Sequence, residues 1–234
     1  MTPSLPLSFN KALRTLPNLF ALFTREDRRL IERTLQWTDY ERGDIIYAEG
    51  ASPDRLLCVA RGKVKVYRDG IGGRSQIMRL LGPQQYFGYR AAIAEEPYAT
   101  AAAAFEEASI ISFTMETLQT IMQTNNSVSR FFLRELATDL GIADRRTVSL
   151  TQKHVRGRIA ESLLYLKRIY GTSQETGELL VQLTREDIAN LSNMTTSNAI
   201  RTISAFAHEG LVAVNGKTIT IINEPLLAEI SSMG

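Results

Sequence analysis

The 234-residue sequence predicts an α+β protein with an N-terminal antiparallel β-roll, a long central helix and a small C-terminal winged-helix domain. Short β-rich runs that end at glycines fill much of the first half of the chain. Beyond Thr114 the apolar period becomes helical, and near the C-terminus two short helical patterns precede an Asn-Gly hairpin signal. The predicted domains are 1–126, 127–153 and 154–234.

The composition indicates folded domains and limits the chemistry of the chain. Hydrophobic residues make up 44% of the sequence, and the formal net charge is only +2. The single cysteine, Cys58, excludes an internal disulfide and argues against an iron–sulfur cluster held within one chain. Since there is neither a basic leader nor an apolar run of about 20 residues, we expect a cytoplasmic protein with no membrane partner.

The first part of the chain carries the signals of a helix followed by a β-roll. Thr24, three residues before Asp27, predicts a capping box at a helix start. From Gly43 to about Ser112, runs such as RLLCVARG and KVKVYRDG alternate apolar and polar residues and end at glycines. This pattern predicts many short antiparallel strands in a compact barrel or roll.

The long helix is predicted from a stretch that contains neither glycine nor proline between Thr114 and Gly141. An apolar stripe along it steps by four and three residues in turn, which is typical of a coiled-coil seam. We predict a parallel homodimer through this stripe, the alternative being that the stripe rests on its own domain. The predicted seam comprises Phe132, Leu136, Leu140, Ala143, Thr147 and Leu150, and continues to His154.

The segment LTREDIANLSNMTTSNAIRTISAFAHEGL follows a further predicted helix, from about Val155 to Ile169, and a polar loop. Thr184 is predicted to cap one helix, Thr195 to cap the next, and Asn193 to form the tight turn between them. Gly210 is predicted to end the second helix. Two short helices with this spacing predict a helix-turn-helix.

The second of these helices is predicted to separate an apolar face from a polar one. The buried side chains are predicted to be Ala199, Ile200, Ile203, Phe206 and Ala207. Those left outside are predicted to be Thr196, Ser197, Asn198, Arg201 and Thr202. In a helix-turn-helix the leading end of this helix enters the major groove, where Asn pairs with adenine and Arg with guanine. Thr184 and Arg185 are placed for the phosphate backbone.

The run LVAVNGKTITII predicts a hairpin with an Asn-Gly turn, which completes a winged helix. Lys217 in the wing is predicted to add a phosphate contact. The alternative is a helical domain that binds only protein, but its exposed face would then be expected to carry apolar anchors. The few histidines and the lone cysteine form no recognisable catalytic set, so no enzymatic activity is expected.

This order of parts resembles the Crp/Fnr family of bacterial transcription regulators, in which a cyclic-nucleotide-binding-like jelly roll forms the sensor domain. The resemblance covers nearly the whole chain, through the helix-turn-helix segment with its hairpin and through GDIIYAEGASPDRLLCVARGKVKVYRDG and LLGPQQYFG in the roll. It implies a homodimer that binds double-stranded DNA at an inverted repeat, with RNA polymerase as a partner. Thr184 and Arg185 would contact the backbone, and Thr196, Ser197 and Arg201 would read bases.

The same resemblance identifies an effector pocket whose residues depart from the family pattern. Members that bind cyclic nucleotides use a glutamate and an arginine where this chain has Tyr89 and Ala99, and only the following hydroxyl, Thr100, is kept. A buried cyclic phosphate without its arginine is an uncompensated charge, which argues against cyclic AMP. The carried-over pocket residues are Phe87, Gly88, Tyr89, Arg90, Ala99, Thr100, Ala143 and Asp144.

The identity of the effector, or whether there is one, stays open at this point. Arg90 either turns inward to replace the missing cation or, as we favour, faces solvent. The alternatives are a cyclic-nucleotide-responsive or a haem- and gas-responsive regulator of the same fold, or a non-enzymatic protein-interaction module. Haem would require an axial ligand such as Cys58, a tyrosine or a methionine, although a thiol in an apolar strand is normally inert packing.

Overall fold

The computed structural model describes residues 5–6, 8–70 and 74–233. Contacts within the chain divide it into two compact units. The first comprises Met1–Arg68 and Arg79–Leu140, and the second comprises Asp69–Met78 and Gly141–Gly234. The α+β class is confirmed, with antiparallel sheets in the N-terminal part of the chain and the helix-turn-helix near its end.

Two sheets form the predicted roll. The strands are β1 (Leu5–Pro6), β2 (Gln36–Tyr40), β3 (Ile45–Tyr47), β4 (Arg55–Arg61), β5 (Val64–Asp69), β6 (Ser75–Leu81), β7 (Tyr86–Phe87), β8 (Ala101–Ala104) and β9 (Ala108–Thr114). Their order is β1-β2-β9-β4-β7 in one sheet and β3-β8-β5-β6 in the other. The central pairs β2–β9, β4–β9 and β5–β8 are antiparallel, as the alternating sequence pattern predicts.

Short helices accompany these strands. They are α1 (Phe9–Thr15), α2 (Pro17–Phe20), α3 (Arg25–Glu32), α4 (Tyr89–Ile93) and α5 (Met115–Thr124). The predicted capping box of α3 is confirmed, since Asp27 N donates to Thr24 Oγ1 at 3.2 Å and Thr24 N donates to Asp27 Oδ2 at 2.9 Å. Edge-to-face contacts among Phe20, Phe23 and Phe113 join these helices to the sheet in one buried cluster.

The helical stretch beyond Thr114 is not one continuous helix. Asn125 adopts an extended backbone conformation, which separates α5 from the long helix α6 (Asn126–Gln152). The Asn125 side chain donates to Leu22 O at 3.0 Å and to Asp27 Oδ2 at 2.8 Å. Its Oδ1 accepts from the backbone of Ser127, near the start of α6. A side chain that accepts hydrogen bonds from the first amides of a helix favours the start of a new helix at that point.

The predicted seam of α6 needs correction at both ends. Phe132 is fully buried in the core of the first unit, and its ring centroid lies 5.0 Å from that of Tyr89. Its side chain is therefore not available to a second chain. Leu136 is partly buried against the same cluster. At the other end α6 stops at Gln152, and His154 is the N-cap of the next helix rather than a seam residue. Heptad spacing alone does not reveal that the roll covers the first turns of this helix.

The second unit contains the later part of α6 together with α7 (Val155–Tyr170), α8 (Arg185–Leu191), α9 (Thr196–His208), β10 (Val212–Asn215), β11 (Thr218–Ile221) and α10 (Glu224–Met233). Helix α10 packs against α7, and Leu163, Phe206 and Leu227 are fully buried in this unit. In the described part of the chain, no helix has both the length and the apolar character needed to cross a bilayer.

The predicted hairpin after α9 is formed by β10 and β11, with a turn one residue further along than the Asn-Gly pair. Asn215 pairs with Thr218, which leaves Gly216 and Lys217 as the two-residue loop. Gly216 has a φ of +58°, a left-handed conformation that matches the twist of a two-residue hairpin. The amide of Leu183 donates to Lys217 O at 2.9 Å, which ties the wing loop to the chain just before α8.

Candidate nucleic-acid interface and effector cradle

The start of α8 is fixed by the capping box that the sequence predicts. Asp187 N donates to Thr184 Oγ1 at 3.0 Å, and Thr184 N donates to Asp187 Oδ2 at 2.8 Å. The next residue, Arg185, is only partly exposed, and within the described residues its Nη1 is buried without a hydrogen-bond partner. A guanidinium nitrogen is therefore left unsatisfied at the helix end predicted to meet the DNA backbone.

The turn between α8 and α9 has the predicted geometry. Asn193 adopts a φ of +49°, one of the few residues other than glycine with a positive φ among those described. Met194 N then donates to Ala189 O at 3.0 Å and closes the turn. Thr195 Oγ1 accepts from Asn198 N at 3.3 Å, so the predicted cap of α9 is confirmed.

The buried face of α9 is narrower than predicted and consists of Ala199, Thr202, Ile203 and Phe206. Ile200 is 45% exposed and Ala207 is exposed, so the prediction that both are buried is wrong. Thr202, predicted to face outward, is only 8% exposed. The reason is geometric, because each residue advances the helix by about 100°. Residues 199, 202, 203 and 206 therefore lie on one narrow stripe, and residues 200 and 207 lie to one side of it.

The outward face at the start of α9 is polar, as predicted. Thr196, Ser197 and Arg201 are exposed, and Asn198 is half-exposed. Arg201 Nη2 donates to Asn198 Oδ1 at 2.6 Å. Lys217 is also exposed at the tip of the wing. This face therefore offers hydroxyls, an amide and a guanidinium, the groups that pair with base edges and phosphates.

The candidate effector cradle comprises Phe87–Arg90 together with Ala99 and Thr100, and its central side chain is buried rather than open. Tyr89 is 1% exposed. Its hydroxyl donates to Asp139 Oδ2 at 3.4 Å, and Arg79 Nη1 lies 2.6 Å from the same oxygen. Burial is the main cause that raises the pKa of the Tyr89 hydroxyl. Tyr89 thus contacts α6 directly through a neutral hydroxyl.

A second tyrosine, which sequence reasoning missed, fills the space beside the cradle glycine. Tyr98 stacks on Tyr47 with ring centroids 3.8 Å apart and an angle of 14° between the rings. A Cβ atom added to Gly88 would lie 3.1 Å from the Tyr98 hydroxyl, and Gly88 itself has a φ of +84°. The two tyrosines are far apart in sequence, so no local pattern signals their contact.

The remaining cradle positions provide no buried cation. Arg90 faces solvent, as predicted, and forms an exposed ion pair with Glu96 at 3.5 Å. Phe87 is buried, Ala99 is exposed and Thr100 is partly exposed. Ala143 and Asp144, which the family resemblance adds to the predicted pocket but which lie outside this cradle, are both exposed on α6.

Cys58 lies fully buried in β4, in the apolar strand that the sequence predicts. Burial raises the pKa of the Cys58 thiol well above its ordinary value. Among the described residues, no group of three or more His, Cys, Asp or Glu side chains is arranged to hold a metal ion.

Two family models match this chain. The cyclic nucleotide-binding domain matches residues 37–125, and the Crp-like helix-turn-helix domain matches residues 157–230. The chain is 32% identical over 200 residues to the CRP-like cAMP-activated global transcriptional regulator of Mycobacterium tuberculosis, which covers 85% of this chain and 89% of that protein. It is 29% identical over 192 residues to the cyclic AMP receptor protein of Thermus thermophilus, with 82% and 86% covered.

Solved structures show the same fold. FixK2 from Bradyrhizobium japonicum superposes with a TM-score of 0.76 at 22% identity, covering 84% of this chain and 96% of that one. The c-di-GMP responsive regulator CLP from Xanthomonas campestris gives a TM-score of 0.72 at 18% identity, covering 86% and 100%.

Proposed function

The chain belongs to the Crp/Fnr family of transcription regulators, and we propose that it acts as a homodimer on an inverted-repeat DNA site under the control of an effector other than cyclic AMP. The observation that carries the DNA-reading part of this proposal is the polar tip of α9, where Thr196, Ser197 and Arg201 are exposed while the apolar stripe of the same helix is buried. RNA polymerase is the protein partner expected of such a regulator.

The homodimer is supported by apolar side chains that α6 leaves uncovered. Leu133 is 64% exposed and Leu140 is 63% exposed, and Thr147 lies a further seven residues along the same face. A spacing of seven residues is that of a two-stranded coiled coil. Two such helices related by a two-fold axis would present two copies of α9 to successive major grooves, about 34 Å apart on the DNA.

The proposal that cyclic AMP is not the effector is supported by three tyrosines and one alanine. Tyr89 stands where cyclic-nucleotide binders have the ribose-binding glutamate, and its hydroxyl donates a hydrogen bond to Asp139. Ala99 supplies no cation for a phosphate, and Tyr98 with Tyr47 occupies the space beside Gly88. The two relatives cited for sequence identity are named for cyclic AMP, but these substitutions argue against transferring that ligand to this chain.

The test of DNA reading is selection of duplexes from a randomised library by the purified full-length protein at about 150 mM salt. We expect enrichment of one inverted repeat whose half-sites are about 10 base pairs apart, centre to centre. Enrichment of no sequence, or of a single half-site bound by one chain, contradicts the proposal.

The effector is tested separately by thermal shift with cyclic AMP, cyclic GMP, cyclic di-GMP, haem and common metabolites. A ligand at about 100 times its Kd adds roughly 2.7 kcal/mol of stability, which a melting curve resolves. We expect no shift with cyclic AMP at millimolar concentration. A saturable shift with cyclic AMP contradicts our interpretation of Tyr89 and Ala99.

A further inference from the structure

One arginine of the second unit donates both to main-chain carbonyls of β6 and to the helix-turn-helix. Arg146 lies on α6, and its Nη1 donates to Met78 O while its Nη2 donates to Ile77 O, both near the middle of β6. The same Nη2 also donates to Leu191 O at 3.0 Å. Leu191 is the last residue of α8, where carbonyls lack partners inside the helix and carry partial negative charge.

Arg146 is one of three side chains that hold consecutive residues of the turn before α9. Ser192 Oγ donates to Ser162 Oγ at 2.8 Å, in a buried contact with α7. Arg158 Nη1, also on α7, donates to Asn193 O at 3.0 Å. The turn that aims α9 is thus bonded at residues 191, 192 and 193 to α6 and α7.

Arg146 itself is not placed to bind DNA. Its side chain is half-buried, and both terminal nitrogens are engaged by main-chain carbonyls. The neighbouring Arg145 carries the same charge but is exposed. The two arginines therefore differ in what they contact. Arg146 joins different segments of the unit, whereas Arg145 is exposed.

We propose that Arg146 is a positioning residue for DNA recognition, which fixes the α8–α9 turn relative to α6 and to Ile77 and Met78 of the same unit, and so sets the angle at which α9 presents its polar tip. This inference rests on the proposed function. A guanidinium suits the task because its planar fork donates to several carbonyls at once, whereas a lysine ammonium is a point charge on a flexible stem.

The test compares Arg146→Gln and Arg146→Lys with the matched control Arg145→Gln. Each variant is measured for affinity to the selected inverted-repeat duplex and to a scrambled duplex, across a salt series. We expect Arg146→Gln to lose about tenfold in specific affinity, since hydrogen bonds of a charged group are lost, while affinity for the scrambled duplex stays within about twofold. Arg146→Lys should recover part of the loss, and Arg145→Gln should behave like the parent.

A second readout does not depend on DNA. The amides of Ser192 and Met194 donate to Ile188 O and Ala189 O, and we expect their hydrogen exchange to accelerate in Arg146→Gln but not in Arg145→Gln. If the parent protein prefers no duplex, the proposed function fails, and exchange alone then decides the role of Arg146. Should Arg146→Gln fail to fold by circular dichroism, Arg146→Lys carries the comparison.

Two outcomes overturn the inference. One is unchanged exchange together with specific affinity within about twofold of the parent. The other is an equal loss for both duplexes with a salt slope reduced by about one, because that pattern identifies a direct phosphate contact.

Discussion

Arg201 and Asn198 are joined by a 2.6 Å hydrogen bond across one turn of α9, from the guanidinium Nη2 to the amide Oδ1. The amide oxygen thereby restrains a long side chain that would otherwise sample many rotamers. The pair stands at the exposed end of a helix whose opposite face is buried. The guanidinium that we propose to read a base is thus partly ordered in the absence of DNA.

Removing the guanidinium should abolish most of the sequence preference. We expect Arg201→Ala to lower affinity for the selected duplex by about 1–3 kcal/mol, or roughly 5- to 150-fold, because a bidentate contact to guanine is lost. Asn198→Ala should cost less, and Ser204→Ala, an exposed position further along α9, should cost nothing measurable. Fluorescence anisotropy and footprinting measure this, and an unchanged footprint with Arg201→Ala would show that the base-reading assignment is wrong.

A charge on the uncovered face of α6 should dissociate the proposed homodimer. In Leu140→Asp the dimer would have to bury a carboxylate against apolar side chains, so we expect at least a tenfold weaker association. Leu180→Asp is the matched control, since Leu180 is also exposed but lies outside α6. Sedimentation equilibrium measures the dimer dissociation constant of each variant. Equal association of both variants would place the interface elsewhere.

Two glycines with similar backbone conformations should respond differently to a methyl group. Gly62 has a φ of +81°, and a Cβ there would lie 1.9 Å from Glu107 O, whereas Gly210 has a φ of +73° and open space around it. We expect Gly210→Ala to cost about 1–2 kcal/mol of unfolding free energy from backbone strain alone. Gly62→Ala should cost clearly more, because the main chain must also shift. Urea unfolding monitored by circular dichroism compares them, and equal costs contradict the steric argument.

The Cys58 thiol should be inert in the folded protein. Because burial raises its pKa, the reactive thiolate is scarce at pH 8 and the sulfur is inaccessible. We expect labelling by a disulfide reagent to follow unfolding, at one thiol per chain in urea and very slowly in buffer. Rapid stoichiometric labelling of the native protein would show that β4 opens readily.

Features set by neighbouring residues were predicted well from the sequence. The capping boxes at Thr24 and Thr184 and the cap at Thr195 depend on contacts three residues away, and the positive φ of Asn193 is one that asparagine tolerates better than most residues. The sequence of each short segment therefore contains the information that fixes it.

Features set by distant residues were predicted less well. Phe132 has the right spacing for a seam, but Tyr89, from another part of the chain, covers it. The boundary of the buried stripe on α9 depends on its neighbours in the fold, which is why Ile200 and Thr202 were assigned to the wrong faces. The contacts of Arg146 with β6 and α8 leave no trace in sequence periodicity, because their acceptors are main-chain carbonyls.

The division of α9 into a buried stripe and an uncovered tip has a practical consequence for engineering. Thr196, Ser197 and Arg201 contribute nothing to the interior, so exchanging them for other polar residues should alter which operator is chosen while leaving the melting temperature almost untouched. We therefore expect that a new DNA specificity could be introduced by substitutions at these three surface positions, while the buried residues Ala199, Ile203 and Phe206 keep α9 packed in the domain.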